Sequence, residues 1–483
     1  MRLPSNMNLY YGGSWHVPSG GSAPTLNPAT GKKLADAPVA NAVDVDHCVE
    51  AAWRAFPGWR ASTPETRAAA LRQIANVIRE NIADVATLES ANNGNPVAVI
   101  GGNLQYAANL VDYFATLALE IKGSTYPGAP SALRFSVREP FGVCARLVAY
   151  NHPAVFLATK LAPAIAAGNC VVMKAPDQAP LSSLLLIELL EGILPSGVLN
   201  LVAGGRACGE ALTVHPKVAM VTLIGGAQAG RSIMRASADR LKRILLELGG
   251  KNALIVYPGA NLDAAASAAV AGMSFASCGQ SCGSTSRLFL HESVHDEMLA
   301  RVIEAARRFA PGIPTKIETT MGALISRAHL ERVMTFIERG VEEGGRLVLG
   351  GKRPMNPELQ DGNFLEPTII ADVKPEMQIA RDEIFGPVLC VLRWKDEEEL
   401  LSAVNGVDYG LTAAVYTNDT AHGLAIASRL EAGCVGINNI TFHALGSPFG
   451  GYKQSGIGRE ECIEELLEFT QLKTISVSLG ASR

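Results

Sequence analysis

The chain has 483 residues, of which 48% are hydrophobic and 18% are charged, as is ordinary for a large globular enzyme. Its formal net charge of −4 provides no basic field for nucleic acid or an anionic membrane, so we expect neither partner. Nine scattered cysteines indicate reduced thiols and a cytoplasmic location. No apolar stretch reaches the roughly 20 residues that span a bilayer, and the first residues lack the apolar core of a signal peptide.

Helical and strand-like patterns alternate in the first half of the chain. We predict helices over 49–56 and 64–90, extended structure around a turn at Pro140 over 134–150, a strand over 170–174, a helix over 180–194, and strands over 199–202 and 218–224. Thr63 and Pro64 give the helix over 64–90 a capping residue and a first-turn proline. This alternation is typical of βαβ units, which form a parallel sheet covered by helices.

A second α/β segment follows residue 249. Its apolar pattern predicts strands over 253–256, 287–290, 368–369, 388–393 and 413–416, and helices over 263–274, 294–309 and 326–344. Ser293 is the candidate N-cap of the helix over 294–309. The stretch over 472–479 alternates like an exposed strand but has no obvious partner, so we predict that it pairs with another subunit.

Cys282 is the first candidate for chemistry. It lies in the segment GQSCGSTSR, whose small residues leave the sulfur reachable and let the backbone approach a substrate. Its thiolate would be a nucleophile, and a buried structural cysteine is the alternative. Cys278, four residues earlier, leaves a redox pair open. No histidine or second cysteine pair follows at zinc spacing, so we expect no metal.

Three further segments are candidates for a site. Glu247 lies in an apolar run before two glycines, where burial would raise its pKa towards that of a general base, and pairing with Arg243 is the alternative. The segment GGAQAG over 225–230 follows a strand and either brings backbone N–H groups to a phosphate or forms a plain turn. Asn151 follows a strand and either donates its amide to an oxyanion or shapes a turn.

Together these segments resemble the aldehyde dehydrogenase superfamily over nearly the whole chain. The matching positions are Asn151, Lys174, 225–230, 247–251 (ELGGK), 279–282 (GQSC), 383–387 (EIFGP), 448–456 (PFGGYKQSG) and 458–460 (GRE). The resemblance implies an α/β fold with three parts. These are a Rossmann-like cofactor domain over 1–120 and 141–249, an α/β catalytic domain over 250–453, and a small β extension over 121–140 and 454–483 that forms a homodimer or homotetramer.

The resemblance also implies NAD-dependent oxidation of an aldehyde to a carboxylic acid. Cys282 would attack the aldehyde to give a thiohemiacetal, Asn151 and the Cys282 N–H would hold the oxyanion, and Glu247 would activate the water that hydrolyses the thioester. The alternatives are a CoA-acylating semialdehyde dehydrogenase and a catalytically silent binding or structural protein on the same fold. Glu247 argues against the former, and the presence of Cys282 and Asn151 argues against the latter.

Cofactor residues are assigned by the same resemblance. They are Tyr150, Lys174, Asp177, Gly225, Gly226, Gly230, Leu248, Glu383 and Phe385. Lys174 and Glu383 would hold the two riboses, and Phe385 would form a wall of the nicotinamide site. Asp177 would accept hydrogen bonds from the adenosine ribose and repel a 2′-phosphate, so we expect NAD rather than NADP.

A substrate tunnel completes the implied site. Its expected lining is His152, Phe156, Thr159, Cys278, Ser281, His443 and Phe449. His152, Thr159 and His443 stand where the family commonly has large aromatic residues, which predicts a wider and more polar tunnel. We therefore expect a bulky aldehyde with an aromatic, polar or anionic substituent.

Overall fold

The computed structural model describes residues 1–479, and strands and helices alternate along it. The first part contains β1 (Leu9–Tyr11), β2 (Ser14–His16), β3 (Ser22–Leu26), β4 (Lys33–Pro38), α1 (Ala42–Arg60), α2 (Pro64–Glu80), α3 (Ile82–Asn93), α4 (Val97–Leu117), β5 (Thr125–Tyr126), β6 (Ala132–Pro140), β7 (Val143–Leu147), α5 (Pro153–Ala166), β8 (Cys170–Ala175), α6 (Leu181–Leu189), β9 (Leu199–Ala203), α7 (Arg206–Val214), β10 (Val218–Gly225), α8 (Ala227–Ala238) and β11 (Arg243–Leu248). Within residues 1–479, no helix combines the length and the apolar character needed to cross a membrane.

The second part continues the alternation. It contains β12 (Ala253–Val256), α9 (Leu262–Gly272), β13 (Arg287–His291), α10 (His295–Ala306), α11 (Arg327–Glu342), β14 (Arg346–Leu349), β15 (Thr368–Ala371), α12 (Gln378–Arg381), β16 (Val388–Trp394), α13 (Glu397–Asn405), β17 (Tyr409–Gly410), β18 (Thr412–Tyr416), α14 (Thr420–Ala427), β19 (Cys434–Ile437), β20 (Tyr452–Lys453), β21 (Gly456–Ile457), α15 (Ile463–Glu468) and β22 (Thr470–Ser478). Short 3₁₀ helices span Ala118–Glu120, Phe275–Ser277 and Pro357–Leu359.

Five parallel strands form the centre of the first sheet, in the order β9-β8-β7-β10-β11. The chain enters this run at β7, moves outwards over β8 and β9, and returns to the other side for β10 and β11. Antiparallel β1 and β21 extend the two edges. The prediction of a Rossmann-like sheet is confirmed. In such a sheet a ligand binds at the carboxyl ends of the strands where the order reverses, here β7 and β10.

The second sheet has the order β14-β15-β16-β13-β12-β18-β19, and every pair except β14–β15 is parallel. Both faces of its centre are buried. In β12, Ala253 and Ile255 pack in one apolar cluster, whereas Leu254 and Val256 pack in another. Successive side chains of a strand point to opposite faces, so the unbroken apolar run of β12 is the pattern of a sheet covered on both sides.

The C-terminal strand finds its partner within the same chain. β22 pairs antiparallel with β6 from Thr470↔Pro140 to Ser478↔Ala132, and β5 follows on the far side of β6. The sequence did not reveal this partner, and pairing of the strand with another subunit stays a prediction for its other edge. The other edge of β22 has no strand partner within residues 1–479.

Two predicted helices differ from the structure at a polar residue. The helix over 64–90 is two helices, because α2 ends before Asn81, whose side chain donates to the Val77 carbonyl (2.8 Å). Asparagine ends helices in this way by offering the backbone a local partner. Ser293 does not cap α10, whose N-cap is Val294, and its hydroxyl instead bonds His291 (2.8 Å).

The segment over 454–483, predicted for oligomerisation or bridging, also contacts the first sheet. β21 lies within the segment assigned to the extension, yet it pairs with β11 of the first sheet. Leu466 of α15 and Phe469 pack in the apolar core of that sheet as well. The passage from the first sheet to the second falls between β11 and β12, next to the predicted residue 249.

Candidate active site

A cavity of about 520 Å³ lies where the carboxyl ends of β10 and β11 meet the loop before β13. Asn151, Glu247 and Cys282 all line it. In the sequence, Asn151 and Glu247 are 96 positions apart, and Glu247 and Cys282 are 35 positions apart. The structure therefore brings the three predicted catalytic residues into one enclosure.

Glu247 is buried near the end of β11, which is held between β10 and β21. Burial, reinforced by the charge of Glu460, raises the pKa of Glu247 to about 8, against the opposing effects of the Cys282 thiol and Lys160. Its Oε1 has no hydrogen-bond partner within residues 1–479. The alternative pairing with Arg243 is not formed, since Arg243 lies at the exposed start of the strand. When the buried Glu247 carboxyl is ionised, its Oε1 is therefore free to accept a proton.

The Cys282 loop is held by Asn252, which is itself buried. The Asn252 amide donates to the carbonyls of Cys282 (2.7 Å) and Ser284 (3.0 Å), and its Oδ1 accepts from the Thr412 N–H (3.0 Å). A Cβ on Gly250 would lie 2.7 Å from the Cys282 carbonyl oxygen, so only glycine allows this approach. Sequence reasoning gave Asn252 no role, although it directly follows the ELGGK segment.

The Cys282 thiol is neutral in this environment. Burial and then the charge of Glu247 raise its pKa well above the ordinary range. The sulfur therefore needs a base or a nearby positive charge before it can attack. The backbone N–H of Cys282 donates to no acceptor within residues 1–479 and remains available to an oxyanion.

Asn151 is fixed through its own backbone carbonyl. That carbonyl accepts from the side-chain amides of Asn93 (2.9 Å) and Asn95 (2.7 Å). The Asn151 side-chain nitrogen donates once, to the Gln280 carbonyl (3.0 Å), and an amide nitrogen has two hydrogens. One N–H of this buried amide is thus left over for a substrate oxygen.

Glu89 holds the helix that begins next to Asn151. Its Oε2 accepts from the N–H of Ala154 in the first turn of α5 (2.8 Å) and from the Ser182 hydroxyl (2.8 Å). Burial raises the pKa of Glu89 to about 7. Sequence reasoning missed Glu89, Asn93 and Asn95. Their signal is the polar run ESANNGN, which forms the end of α3 and the turn that follows it.

A crevice along α8 collects four of the nine predicted cofactor residues. It consists of two cavities that share Gln228, one of about 710 Å³ that includes Lys174 and one of about 880 Å³ that includes Gly226, Leu248 and Glu383. Gly226 is the N-cap of α8 and supplies no side chain to the free N–H groups of the first turn. Such a helix start attracts a phosphate, so the crevice fits a dinucleotide.

The remaining predicted cofactor residues have different surroundings. Asp177 is exposed, and its charge acts on Lys174. Gly225 ends β10 directly before the α8 cap. The N–H of Gly230 is used inside α8, and a Cβ there would lie 2.7 Å from Leu248, so in this structure Gly230 allows the helix to pack closely.

Glu383 lines the crevice, and Phe385, two residues later, packs against Tyr150. Glu383 accepts from the Gly250 N–H (3.0 Å), and burial raises its pKa to about 6. Phe385 has a left-handed backbone with φ of 57°, and its carbonyl accepts from His329 (2.7 Å). The Tyr150 ring lies edge-on to the Phe385 ring at 6.0 Å.

Six of the seven predicted tunnel residues line the 520 Å³ cavity: His152, Phe156, Thr159, Ser281, His443 and Phe449. The prediction for Cys278 is wrong, because its side chain is 1% exposed and packs in an apolar cluster of the second sheet. Cys278 directly follows the short 3₁₀ helix Phe275–Ser277 and has a left-handed φ of 55°, and its side chain is buried in the interior. The predicted lining omitted Asn103 and Tyr106 of α4, as well as Lys160, Glu460 and Glu461.

A buried set of charges adjoins the predicted catalytic residues. Lys160 contacts Glu460 (2.8 Å), and Arg146 contacts Glu465 (3.1 Å) and, more distantly, Glu460 (4.0 Å). Against the effect of burial, Glu460 holds the pKa of Lys160 above its ordinary value. Each positive group thus has an acidic partner, as buried charges require.

Comparisons with known proteins agree with this arrangement. The model of the aldehyde dehydrogenase family matches residues 15–475. Aldehyde dehydrogenase tropH of Talaromyces stipitatus is 47% identical over 488 residues, which cover 99% of this chain and 95% of that protein. PnpE from Pseudomonas sp. WBC-3, solved in complex with nicotinamide adenine dinucleotide, is 37% identical with a TM-score of 0.96, over 99% of this chain and 98% of PnpE. A putative aldehyde dehydrogenase from Burkholderia cenocepacia is 36% identical with a TM-score of 0.96, over the same shares.

Proposed function

The chain belongs to the aldehyde dehydrogenase family, and from this premise we propose that it uses NAD to oxidise an aldehyde to the carboxylic acid through a thioester on Cys282. The observation that carries this proposal is the shared cavity of Asn151, Glu247 and Cys282. A nucleophile, an amide donor and a carboxyl base are the groups that acyl transfer requires.

Attack by Cys282 begins the reaction. The thiol proton passes to water, and the sulfur forms a bond to the aldehyde carbon, so Glu247 stays available for the later hydrolysis. The carbonyl oxygen becomes an oxyanion, which the Cys282 N–H and the free amide hydrogen of Asn151 stabilise. One such donor is worth roughly 10²–10³ in kcat.

The crevice along α8 supports NAD as the cofactor. The free N–H groups at the start of α8 would bind the diphosphate, and Lys174 and Glu383 would bind the riboses. Bound NAD supplies the acceptor for the hydride that leaves the adduct. The exposed Asp177 beside Lys174 disfavours a 2′-phosphate and therefore NADP.

Hydrolysis of the thioester completes the cycle. Glu247 takes a proton from water, and the hydroxide attacks the acyl carbon. The carbon–sulfur bond breaks, the carboxylic acid leaves, and Glu247 returns its proton to the Cys282 sulfur. Glu247 thereby favours hydrolysis over transfer to CoA, which is the alternative function.

The cavity supports a bulky aldehyde with a polar or aromatic substituent. Its volume of about 520 Å³ falls within the roughly 300–1,000 Å³ of sites for drug-sized ligands. Phe156 and Phe449 give it aromatic surface, and Asn103, His152 and His443 give it polar groups.

Two further features support a homo-oligomeric assembly and a cytoplasmic location. The free edge of β22 carries Leu472 and Val477 in exposed positions, which favours pairing with a second copy in a homodimer or homotetramer. All nine cysteines are unbridged, which favours the cytoplasm.

NADH formation from a panel of aldehydes tests the proposal, with NAD and NADP in parallel and with and without CoA. We expect turnover with NAD, a carboxylic acid product identified by mass spectrometry, and no gain from CoA. Turnover that depends on CoA, or a preference for NADP, would contradict this assignment.

A further inference from the structure

The substrate cavity offers no unpaired positive charge. Among the described residues that line it, the only lysine or arginine is Lys160, whose ammonium group contacts Glu460 at 2.8 Å. Both side chains are about 4% exposed. A carboxylate on the substrate would therefore have to lose its water without gaining a counter-ion, which is costly.

The outer part of the cavity holds a carboxylate, Glu461, that is already paired with His443. Burial opposes the ionisation of Glu461, but the charge and hydrogen bond of His443 hold its pKa below the ordinary value. Glu461 accepts from the Tyr106 hydroxyl (2.8 Å) and contacts His443 Nδ1 (3.1 Å). Because Glu461 already uses the charge of His443, a substrate carboxylate would have to compete with Glu461 for that charge and would lie near a like-charged group.

His152 brings a neutral polar group to the same cavity. Burial, with a smaller effect from His443, lowers its pKa to about 4. Its Nδ1 is buried with no hydrogen-bond partner within residues 1–479, and its ring lies edge-on to Phe156 at 5.8 Å. A neutral imidazole has one donor and one acceptor, which matches a hydroxyl group, whereas a carboxylate only accepts.

We propose that the substrate is an uncharged, hydroxyl-bearing aldehyde, in which a hydroxyl group on a bulky or aromatic body is recognised by His152, while the Tyr106–Glu461–His443 network excludes aldehydes that carry a carboxylate. This inference rests on the proposed function and narrows its substrate class.

The first test uses aldehydes that share one ring: benzaldehyde, its three monohydroxy isomers, its carboxylated analogues and a trimethylammonium analogue. For the wild type, kcat/KM of the best hydroxy isomer should exceed that of benzaldehyde by about tenfold, as one hydrogen bond with a buried partner allows. Carboxylated aldehydes should fall at least about a hundredfold below the best isomer. A carboxylated or cationic aldehyde as the best substrate would overturn the proposal.

Variants locate the preference in the cavity. His152→Phe should bring the ratio of kcat/KM for hydroxylated over plain benzaldehyde close to one, and Glu461→Gln should raise the relative rate with carboxylated aldehydes. Because both readouts are ratios within one protein, a general loss of activity cancels. An unchanged hydroxyl ratio in His152→Phe would contradict the role of that residue.

A binding experiment separates this inference from the proposed function. Isothermal titration of Cys282→Ala with hydroxybenzyl, benzyl and carboxybenzyl alcohols measures recognition without turnover. We expect the hydroxybenzyl alcohol to have the lowest Kd and the carboxybenzyl alcohol the highest. This order would uphold the inference even if the wild type oxidised no aldehyde with NAD, and the reverse order would refute it even if the wild type were active.

Discussion

The pH dependence of thioester hydrolysis should follow the ionisation of Glu247. Burial, and next Glu460, raise the pKa of this carboxyl to about 8, so about one-tenth of it is ionised at pH 7. When hydrolysis limits turnover, kcat should rise about tenfold per pH unit below this value and level off above it.

Glu460→Gln is the informative perturbation, because it removes a negative charge that disfavours ionised Glu247 and leaves Lys160 without its partner. Both changes favour the ionised carboxylate, so the midpoint of the kcat profile should move down by about one pH unit, equivalent to about 1.4 kcal/mol. The unpaired lysine also costs stability, by roughly 3–5 kcal/mol.

The assay is rapid mixing with aldehyde and NAD from pH 5.5 to 9.5, which separates a burst of NADH from the steady rate. The double variant Glu460→Gln/Lys160→Met is the matched control, since it removes the anion without leaving a cation, and should show a smaller shift. Melting temperatures identify any variant that fails to fold. A wild-type midpoint at or below pH 6, or one that Glu460→Gln leaves in place, would refute this reasoning.

Three other changes test the packing around the site. Asn252→Ala should lower kcat at least about tenfold with little change in the KM for NAD, because it releases the Cys282 loop. A rise of about tenfold in the KM for NAD would argue against this role. Gly250→Ala should also lower kcat, since its Cβ would lie 2.7 Å from the Cys282 carbonyl, whereas Gly102→Ala, with nothing within 4 Å, is the matched control. Burial raises the pKa of Glu89 from 4.5 to about 7, so its contribution to stability is complete below pH 4.5 and falls by about 3 kcal/mol as the pH rises through 7. From pH 5 to pH 8, the melting temperature of Glu89→Gln should therefore rise relative to that of the wild type. A difference in melting temperature that stays constant over this range would contradict the prediction.

The sequence predicted the centre of the site because Asn151, Glu247 and Cys282 lie in short segments that resemble those of the aldehyde dehydrogenase superfamily. Glu247 follows an apolar run that becomes β11, and Asn151 follows β7. Parallel strands place the ends of β7 and β11 at one edge of the first sheet, whereas Cys282 reaches the cavity from the loop before β13, so the meeting of all three was predicted by the resemblance alone. The α/β class was predicted from the alternation of strand-like and helical patterns along the chain.

The rest depended on interactions between distant parts of the chain. α4 was not predicted, because Gly101 and Gly102 interrupt its pattern, and Asn103 and Tyr106 of the cavity were missed with it. The direction of the Cys278 side chain depends on a left-handed turn that composition does not specify. The pairing of β22 with β6 joins residues more than 330 positions apart, beyond the reach of local periodicity.

Intact-protein mass spectrometry of Glu247→Gln, mixed with aldehyde and NAD and quenched in acid, tests the thioester most directly. The account predicts an added acyl mass that maps to the peptide containing Cys282, accompanied by one equivalent of NADH and absent from Glu247→Gln/Cys282→Ala. NADH formation that persists in the double variant, or an acyl group on another residue, would contradict the assignment of Cys282 as the nucleophile.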